Sequence, residues 1–305
     1  MIDEVNPLRG VFSAAFTAIG PDGSVDEGRM AAHCRHLLDQ GCAGVALLGT
    51  TGEANSLAGR ERMALLEALV AAGVPAERLA PGTGVCSITE TIDLTRHALS
   101  LGVRTVLLLP PFYYKDPDEA GLLDHFSRVI EATAAPDVRI VLYHIPQMTG
   151  VPIGFELIAR LRARFGAVIA GVKDSSGDLA HMEALLARFP DLSVMAGADH
   201  LLGPLLRAGG AGCITATSNL IASRLADLFV RIDAGATAAE TAALERDIAQ
   251  IRTLFQRWPQ IPALKAAMAE RTGDPDWGCV RPPLRPLDAV QTTQMRQAMA
   301  EIGLA

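Results

Sequence analysis

The chain has 305 residues, a mass of 32.2 kDa, a net charge of -7 and a pI near 5.5, and half of its residues are hydrophobic. This length suits either two ordinary domains or one large α/β barrel. Lysine and arginine residues are scattered, which argues against a nucleic-acid surface, and no apolar run approaches the roughly 18 residues of a membrane span. We therefore expect a soluble metabolic protein with no nucleic-acid or membrane partner.

The number and spacing of the cysteines indicate the cellular compartment of the protein. The five cysteines are an odd number and widely spaced, and the acidic start at residues 1–4 lacks a signal-peptide pattern. We interpret the cysteines as reduced thiols and expect a cytoplasmic protein.

Short apolar runs alternate with helical segments along the first two thirds of the chain. The eight predicted strands are 11–19, 43–48, 79–85, 103–109, 138–145, 168–173, 192–196 and 212–215. The predicted helices between them are 27–40, 58–72, 89–101, 118–134, 155–164, 179–189 and 201–208. Strict alternation implies a parallel sheet, and eight such units in about 215 residues fit a closed (β/α)8 TIM barrel better than an open sheet. No Gly-x-Gly-x-x-Gly turn follows the first strand, which also disfavours the open alternative.

The strand signal disappears from Leu220 onward. The features predicted there are a helix at 224–255 with a break near 233–237, a proline break at 258–262, a helix at 263–271 and a loop at 281–286. We therefore predict a catalytic barrel at residues 1–220 and a C-terminal helical extension at residues 221–305.

A lysine ends one of the apolar runs. Lys173 follows the sequence VIAGV, and burial penalises the charged form of an amine. Such a lysine is either ion-paired, with Asp174 as the obvious partner, or a nucleophile. Tyr143 ends another apolar run about thirty residues upstream, the usual length of one strand–helix–strand unit. Two reactive side chains would then end neighbouring strands.

Other polar residues follow the remaining predicted strands, where barrel enzymes keep their active sites. The turn GTTGE at 49–53 offers backbone N–H groups and hydroxyls that could hold a carboxylate. The other strand ends are PPFYYK at 110–115, GAD at 197–199 and ITA at 214–216.

Together these motifs resemble the dihydrodipicolinate synthase and N-acetylneuraminate lyase family of Schiff-base barrel enzymes. The matching motifs, in the family's order and spacing, are GTTGE at 49–53, Y-x-I-P-x-x-T-G at 143–150, GVKD at 171–174, GCI at 212–214 and PLRPL at 283–287. A Gly-Thr-Thr-Gly turn alone is a weak signal, but motifs at four strand ends are a strong one. The resemblance covers nearly the whole chain.

The resemblance implies a catalytic set. Lys173 would condense with the ketone of pyruvate or another 2-oxo acid to give an imine, and Tyr143 would be its acid/base partner. Thr50 and Tyr113 would complete a hydroxyl proton relay with Tyr143. In this family the relay tyrosine comes from a neighbouring subunit, so the resemblance also implies a homotetramer.

The resemblance further implies a substrate-binding set. Thr51 and the adjacent backbone amides would hold the carboxylate of the 2-oxo acid, and main-chain groups at Gly197 and Ile214 would line the same pocket. Asp199 is either a substrate contact or a helix cap. No metal or dissociable cofactor is required. His33, Cys34 and His36 lie within one helical turn, but no further metal ligand is near, so we expect a solvated helix face there.

The chain departs from its relatives at positions that select the substrate. Relatives that make dihydrodipicolinate carry an arginine five residues after the tyrosine, which pairs with aspartate semialdehyde, whereas this chain has Met148. A thioether cannot replace a charge-assisted contact worth about 1.5 to 3 kcal/mol, and Gln147 compensates only in part. Sialic acid lyases have an acidic residue and a serine where this chain has His200 and Ala216.

The sequence thus predicts a class I aldolase or lyase that forms or consumes pyruvate. Its substrate is expected to be a 2-keto-3-deoxy sugar acid or a 4-hydroxy-2-oxo acid. A dihydrodipicolinate synthase that condenses pyruvate with aspartate semialdehyde and a dehydratase of 2-keto-3-deoxy acids stay open. So does a non-catalytic barrel that binds 2-oxo acids.

Overall fold

The fold is a parallel β-barrel wrapped by helices. A computed structural model describes residues 8–133, 135 and 137–304, so the acidic start at 1–4 lies outside the described residues. The seven strands within the described ranges are β1 (Gly10–Ala14), β2 (Gly44–Ala46), β3 (Thr105–Leu108), β4 (Arg139–His144), β5 (Ile169–Asp174), β6 (Ser193–Ala196) and β7 (Gly212–Thr215). They form one parallel sheet in the order β2-β1-β7-β6-β5-β4-β3, which is the predicted TIM-barrel arrangement.

One predicted strand, at 79–85, is not a regular strand. The segment lies between β2 and β3, and the N–H groups of Ala80 and Thr83 donate to carbonyls of these two strands at 2.9 and 3.0 Å. Pro81 interrupts the ladder because it has no N–H group. Gly82 allows the close approach, since a Cβ atom there would lie 2.5 Å from the carbonyl oxygen of Leu48. The segment therefore closes the barrel through isolated bridges.

Helices cover the outside of the barrel. Those in the described part are α1 (Glu27–Asp39), α2 (Gly59–Ala71), α3 (Ile88–Ser100), α4 (Glu119–Thr133), α5 (Pro146–Thr149), α6 (Phe155–Phe165), α7 (Leu179–Arg188), α8 (Leu202–Arg207), α9 (Ser218–Asp233), α10 (Ala238–Phe255), α11 (Gln260–Thr272) and α12 (Ala289–Glu301). The seven helices predicted between the strands are found with each end within one residue of its predicted position. None of the helices described is both long and apolar enough to cross a membrane.

Two helix starts were predicted too late. Helix α9 begins at Ser218 rather than at 224, and its first turn is separated from the rest by non-helical dihedral angles at Ile221 (φ -129°, ψ 31°). Helix α11 begins at Gln260 rather than at 263. Pro262 is tolerated there because N–H groups in the first turn have no partner within the helix.

The apolar core has two layers, as alternation along a strand requires. The inner cluster fills the barrel and includes Phe12, Ala14, Ala46, Ala80, Leu107, Val141, Met195 and Ile214. The outer cluster lies between the strands and the helices and includes Leu142 and Val172. Tyr143 and Lys173 therefore point into the barrel, whereas the residues that follow them point toward the helices.

The helices after β7 share this outer layer. Leu225, Phe255 and Leu264 belong to the same buried cluster as Val11 of β1. The predicted boundary between residues 220 and 221 falls at the kink inside α9. The division into a barrel and an extension stays a prediction, and the two parts have one continuous core.

The predicted solvated face of α1 is wrong for two of its three residues. His36 is exposed, but His33 and Cys34 are buried. The Nε2 atom of His33 lies 2.8 Å from Oδ1 of Asn219, and its ring stacks on Phe16. Burial lowers the pKa of His33 to about 4. All five cysteines are free thiols.

Candidate active site

Lys173 and Tyr143 lie side by side at the carboxyl ends of β5 and β4, where they are register partners. Lys173 is 5% exposed and Tyr143 is 6% exposed. The Nζ atom of Lys173 lies 4.1 Å from the centroid of the Tyr143 ring, a cation–π contact. Asp174 points to the opposite face of the sheet and bonds to His181 and Ser176. The neighbour of the buried amine is therefore a phenol and not a carboxylate.

Lysine is rare in this protein. The chain contains three lysines, at positions 115, 173 and 265. Lys265 has no exposed side-chain surface and pairs with Glu53 at 2.6 Å. The ammonium group of Lys115 donates to two backbone carbonyls. Lys173 is the member of this set that lies at a strand end inside the barrel.

The Tyr143 phenol is held among polar groups. Its Oη atom lies 3.4 Å from Oγ1 of Thr50. Burial raises the pKa of Tyr143, but the charge of Lys173 and hydrogen bonds from Thr50, Ser175 and Lys173 outweigh burial and bring the pKa below its usual value. A buried phenol with a lowered pKa is suited to accept and return a proton.

The turn that carries Thr50 and Thr51 has an unusual backbone at both ends. Leu48 (φ 55°) and Glu53 (φ 54°) are in the left-handed region, as is Asp116 (φ 52°) in the segment after β3. Such a conformation costs a residue with a Cβ atom about 1 to 2 kcal/mol. Within the described ranges, these are the residues other than glycine with positive φ. Backbone strain of this kind concentrates at functional sites that their surroundings hold in place.

Glu53 is the anchor of this turn. Its carboxylate accepts hydrogen bonds from Lys265 at 2.6 Å and from the N–H group of Arg281 at 2.9 Å. Lys265 also donates to the carbonyl of Thr17 at 2.9 Å. Both contacts to Glu53 come from the chain beyond residue 220, so the C-terminal extension fixes a turn of the candidate site.

A small cavity adjoins the Thr50–Tyr143 pair. Its volume is about 20 Å³, enough for one water or one hydroxyl group, and its wall includes Gly84 and Arg62. Arg62 is 4% exposed and donates to the carbonyl of Leu48 at 3.3 Å. Burial lowers the pKa of Arg62. Sequence reasoning missed this arginine because it lies in the first turn of α2, and an arginine on a helix usually faces solvent.

Of the predicted catalytic residues, the structure brings Lys173, Tyr143 and Thr50 together. Tyr113 is 75% exposed and packs edge-on against Tyr114, with ring centroids 5.4 Å apart. Within one chain, the Tyr113 phenol is therefore on the surface and outside this group.

The predicted binding residues occupy several strand ends. Thr51 is partly buried in the turn after β2, and Ile214 belongs to the inner cluster of the barrel. The N–H group of Gly197 donates to the carbonyl of Asp174 at 2.6 Å.

Asp199 lies deeper in the fold. It has no exposed surface, and its Oδ2 atom lies 3.3 Å from Nη1 of Arg252 in α10. Its assignment as a substrate contact stays a prediction.

Ser175 joins the site although the sequence analysis did not single it out. Its hydroxyl is among the groups that lower the pKa of the Tyr143 phenol, and its N–H group donates to the carbonyl of His144 at 2.8 Å. A Cβ atom on Gly197 would lie 2.0 Å from the Ser175 hydroxyl, so only glycine fits there. The sequence signal for Ser175 was its spacing of two residues from Lys173, because residues i and i+2 at the end of a strand share a face.

Comparison with known proteins identifies relatives of this chain. Residues 7–302 match the profile of the dihydrodipicolinate synthetase family. An uncharacterised DapA-like lyase of Chloroflexus aurantiacus is 39% identical over 295 residues, which cover 96% of this chain and 97% of the relative.

Two solved structures extend the comparison. Dihydrodipicolinate synthase from Agrobacterium tumefaciens strain C58 has a TM-score of 0.88 and 35% identity, with coverage of 96% of this chain and 99% of the other. YagE, a prophage protein of the dihydrodipicolinic acid synthase family from Escherichia coli K12 in complex with pyruvate, has a TM-score of 0.89 and 27% identity, with coverage of 97% and 99%.

The barrel and its strand-end site therefore define a pyruvate-dependent lyase of the class I aldolase type. The chain belongs to the dihydrodipicolinate synthetase family.

Proposed function

We propose that Lys173 forms an imine with the C2 carbonyl of pyruvate or of another 2-oxo acid. The observation that carries the proposal is the buried amine over the Tyr143 ring, at 4.1 Å, with Asp174 turned away from it. The neutral form of an amine is the form that attacks a carbonyl carbon. The protein then makes or breaks the bond between C3 and C4 of the bound acid.

The reaction needs few groups. The Nζ atom of the neutral Lys173 amine adds to C2, Tyr143 donates a proton so that the carbonyl oxygen leaves as water, and a protonated imine and the Tyr143 phenolate remain. In the cleavage direction, the Tyr143 phenolate accepts the proton of the C4 hydroxyl, the C3–C4 bond breaks, and an aldehyde leaves. The electron pair of that bond stays on C3 as an enamine. Tyr143 returns its proton to C3, and water hydrolyses the imine to release pyruvate.

The other residues assist these two. Thr50, 3.4 Å from the phenol, relays the proton that Tyr143 exchanges. Thr51 and the neighbouring amides hold the carboxylate of the 2-oxo acid, and main-chain groups of Gly197 and Ile214 line the pocket. For Asp199, the contact with Arg252 favours a structural role over a substrate contact.

Tyr113 completes the relay from a second copy of the chain. Its exposure in one chain supports this role, because an interface between copies would bury the side chain. The small cavity beside Thr50 and Tyr143 has room for one hydroxyl group, which the partner's phenol would supply. We therefore propose a homotetramer in which pairs of chains share their sites, and a cytoplasmic location follows from the sequence as a further expectation.

The substrate is a 2-keto-3-deoxy sugar acid or a 4-hydroxy-2-oxo acid. Met148 is 64% exposed and carries no charge that would hold a second carboxylate. Gln147 is a poor substitute, because its side-chain amide donates to the carbonyl of Ser175 at 2.6 Å. An uncharged hydroxyaldehyde fits these neighbours better than aspartate semialdehyde does.

Dihydrodipicolinate synthase activity is the second candidate, favoured by the 35% identity with the Agrobacterium synthase. A coupled assay with pyruvate and aspartate semialdehyde decides between the two. We expect the wild-type protein to be much slower there than with hydroxy-2-oxo acids, and the Met148→Arg variant to gain synthase activity. Synthase activity of the wild type equal to its aldol activity would reverse this ranking.

Borohydride trapping tests the imine. Reduction in the presence of pyruvate should leave a stable adduct on one of the three lysines, and peptide mapping should place it on Lys173. The Lys173→Met variant should form no adduct. Exchange of the pyruvate methyl protons with deuterium, followed by NMR, reports enamine formation without any aldehyde and should stop in Tyr143→Phe. Pyruvate binding without adduct or exchange would instead support the non-catalytic barrel.

A further inference from the structure

A second polar cluster lies directly behind the reacting pair. It consists of His144, Asp174 and His181, whose nitrogen and oxygen atoms lie within 4.8 Å of one another. His144 and Asp174 end β4 and β5 and are register partners, one step beyond Tyr143 and Lys173. Because successive side chains of a strand alternate, the cluster faces the helices while the reacting pair faces the barrel.

Asp174 is the centre of this cluster. Its side chain has no exposed surface. Its Oδ1 atom accepts hydrogen bonds from the N–H group and the hydroxyl of Ser176 at 2.8 and 2.6 Å. Its Oδ2 atom lies 2.6 Å from Nδ1 of His181. A buried carboxylate with three donors is fixed in position, and losing one of them is costly.

His181 reaches Asp174 from the first turn of α7. Its ring is held on both sides, stacked on His144 at 4.9 Å between centroids and tilted against Phe155 at 5.0 Å. His144 is fixed in turn, because its Nδ1 atom accepts a hydrogen bond from the N–H group of Ile153 at 3.1 Å. His181 therefore has little freedom to turn away from the carboxylate.

The segment that Asp174 fixes carries Ser175 into the active site. Ser175 lies between Asp174 and Ser176, which the carboxylate ties together. The carbonyl of Asp174 also accepts from Gly197, and the Ser175 hydroxyl on the barrel side is near enough to the Tyr143 phenol to lower its pKa. A shift of the carboxylate would therefore move a hydroxyl that lowers the pKa of the reacting phenol.

Two histidines and a carboxylate are also a donor set that binds zinc. The geometry here disfavours that use. The two imidazole planes are nearly parallel, with an angle of 17° between them, so their in-plane lone pairs do not converge on one point. The Nδ1 atom of His144 is already occupied by the Ile153 amide.

We propose that His181 is a positioning residue for the proton transfer by Tyr143. The hydrogen bond from its Nδ1–H group to Asp174 sets the course of the segment that presents Ser175 to the phenol. The inference rests on the proposed imine chemistry, since it concerns a proton that only this chemistry moves.

The test compares variants in deuterium exchange into pyruvate. His181→Leu removes the donor and keeps an apolar side chain between His144 and Phe155. Its maximal exchange rate should fall at least about tenfold, while the pyruvate concentration for half-maximal rate changes less than about threefold. His181→Asn keeps an N–H donor near the Nδ1 position and should recover most of the rate. Ser176→Ala removes another donor to Asp174 and should lower the rate in the same sense.

His97 provides a matched control. Its Nε2 atom lies 2.7 Å from Glu67 between α3 and α2, and its side chain is 18% exposed against 22% for His181. The His97→Leu variant should exchange at the wild-type rate.

Several results would overturn the proposal. Wild-type exchange in His181→Leu, or an equal loss in His181→Leu and His181→Asn, would show that the donor is irrelevant. If His181→Leu does not fold, an unchanged rate in Ser176→Ala serves the same purpose. Stoichiometric zinc binding that disappears in His181→Leu would replace the proposal with a metal site. The absence of a borohydride adduct on Lys173 of the wild type would remove the imine chemistry itself, and the His181 role with it.

Discussion

Replacing Lys265 with methionine should destabilise the protein by about 3 to 5 kcal/mol. Neither Lys265 nor its partner Glu53 has exposed side-chain surface, and the charged atoms lie 2.6 Å apart. Methionine fills a similar volume but donates no hydrogen bond. The Glu53 carboxylate then keeps the N–H group of Arg281 as a donor, and the carbonyl of Thr17 loses the ammonium group as its donor. The loss is large because the remaining Glu53 charge stays buried without its cationic partner.

Urea unfolding at one protein concentration measures this loss for the two single variants, Lys265→Met and Glu53→Gln, and for the double variant. The double variant should be more stable than Lys265→Met alone, because neither position then carries a buried charge and Gln can still accept from Arg281.

Arg296→Met is the matched control. Its ion pair with Glu270 has side chains that are 61% and 31% exposed, and the expected loss is below about 1 kcal/mol. If Lys265→Met loses no more stability than Arg296→Met, the argument from burial is wrong.

Three further predictions concern other parts of the fold. The pKa of His33 is about 4 in the fold against 6.5 as its ordinary value, so the unfolded chain binds the proton first as the pH falls. Stability should be complete above about pH 6.5 and lower by about 3 kcal/mol near pH 4, and urea unfolding of His33→Gln should show a flatter pH dependence. Gly197→Ala puts a methyl group 2.0 Å from the Ser175 hydroxyl and should cost about 1 to 3 kcal/mol, measured by urea unfolding, together with most of the pyruvate exchange. Ser175→Ala should slow exchange about tenfold yet still give the borohydride adduct on Lys173, and normal exchange would contradict its contact with Tyr143.

The strand-end pair was predictable from sequence because its position depends on local rules. Apolar runs of the right length locate β4 and β5. These strands are parallel neighbours, and Tyr143 and Lys173 occupy matching positions near their carboxyl ends, so the two residues lie side by side. The ends of the seven helices between the strands were predictable for the same reason. Asp26, Ser87 and Asp178 each cap a helix by accepting a hydrogen bond from a backbone N–H group three residues on, a pattern that the sequence displays.

The contacts that complete the site were not predictable in this way. Lys265 and Glu53 are 212 positions apart, and each is surrounded by ordinary helix or turn sequence. The sequence left an ion pair between Asp174 and Lys173 open because the two residues are adjacent, whereas alternation along β5 sends the two side chains to opposite faces. Period-two reasoning would have excluded that pair and would have pointed to Ser175.

The C-terminal extension stabilises the candidate active site. Lys265 and Arg281 hold Glu53 at the turn after β2, and Arg252 holds Asp199 after β6. Without residues 221–305, both carboxylates would lose these partners, and the buried cluster that Leu225, Phe255 and Leu264 share with the barrel would be exposed to water. A domain of ordinary stability has only about 5 to 15 kcal/mol in total. Removal of the extension should therefore abolish the folded barrel rather than leave a smaller active one. The sequence pattern shows where the strands end. The part of the chain that folds as one cooperative unit is longer, because it includes the C-terminal residues that neutralise these carboxylates.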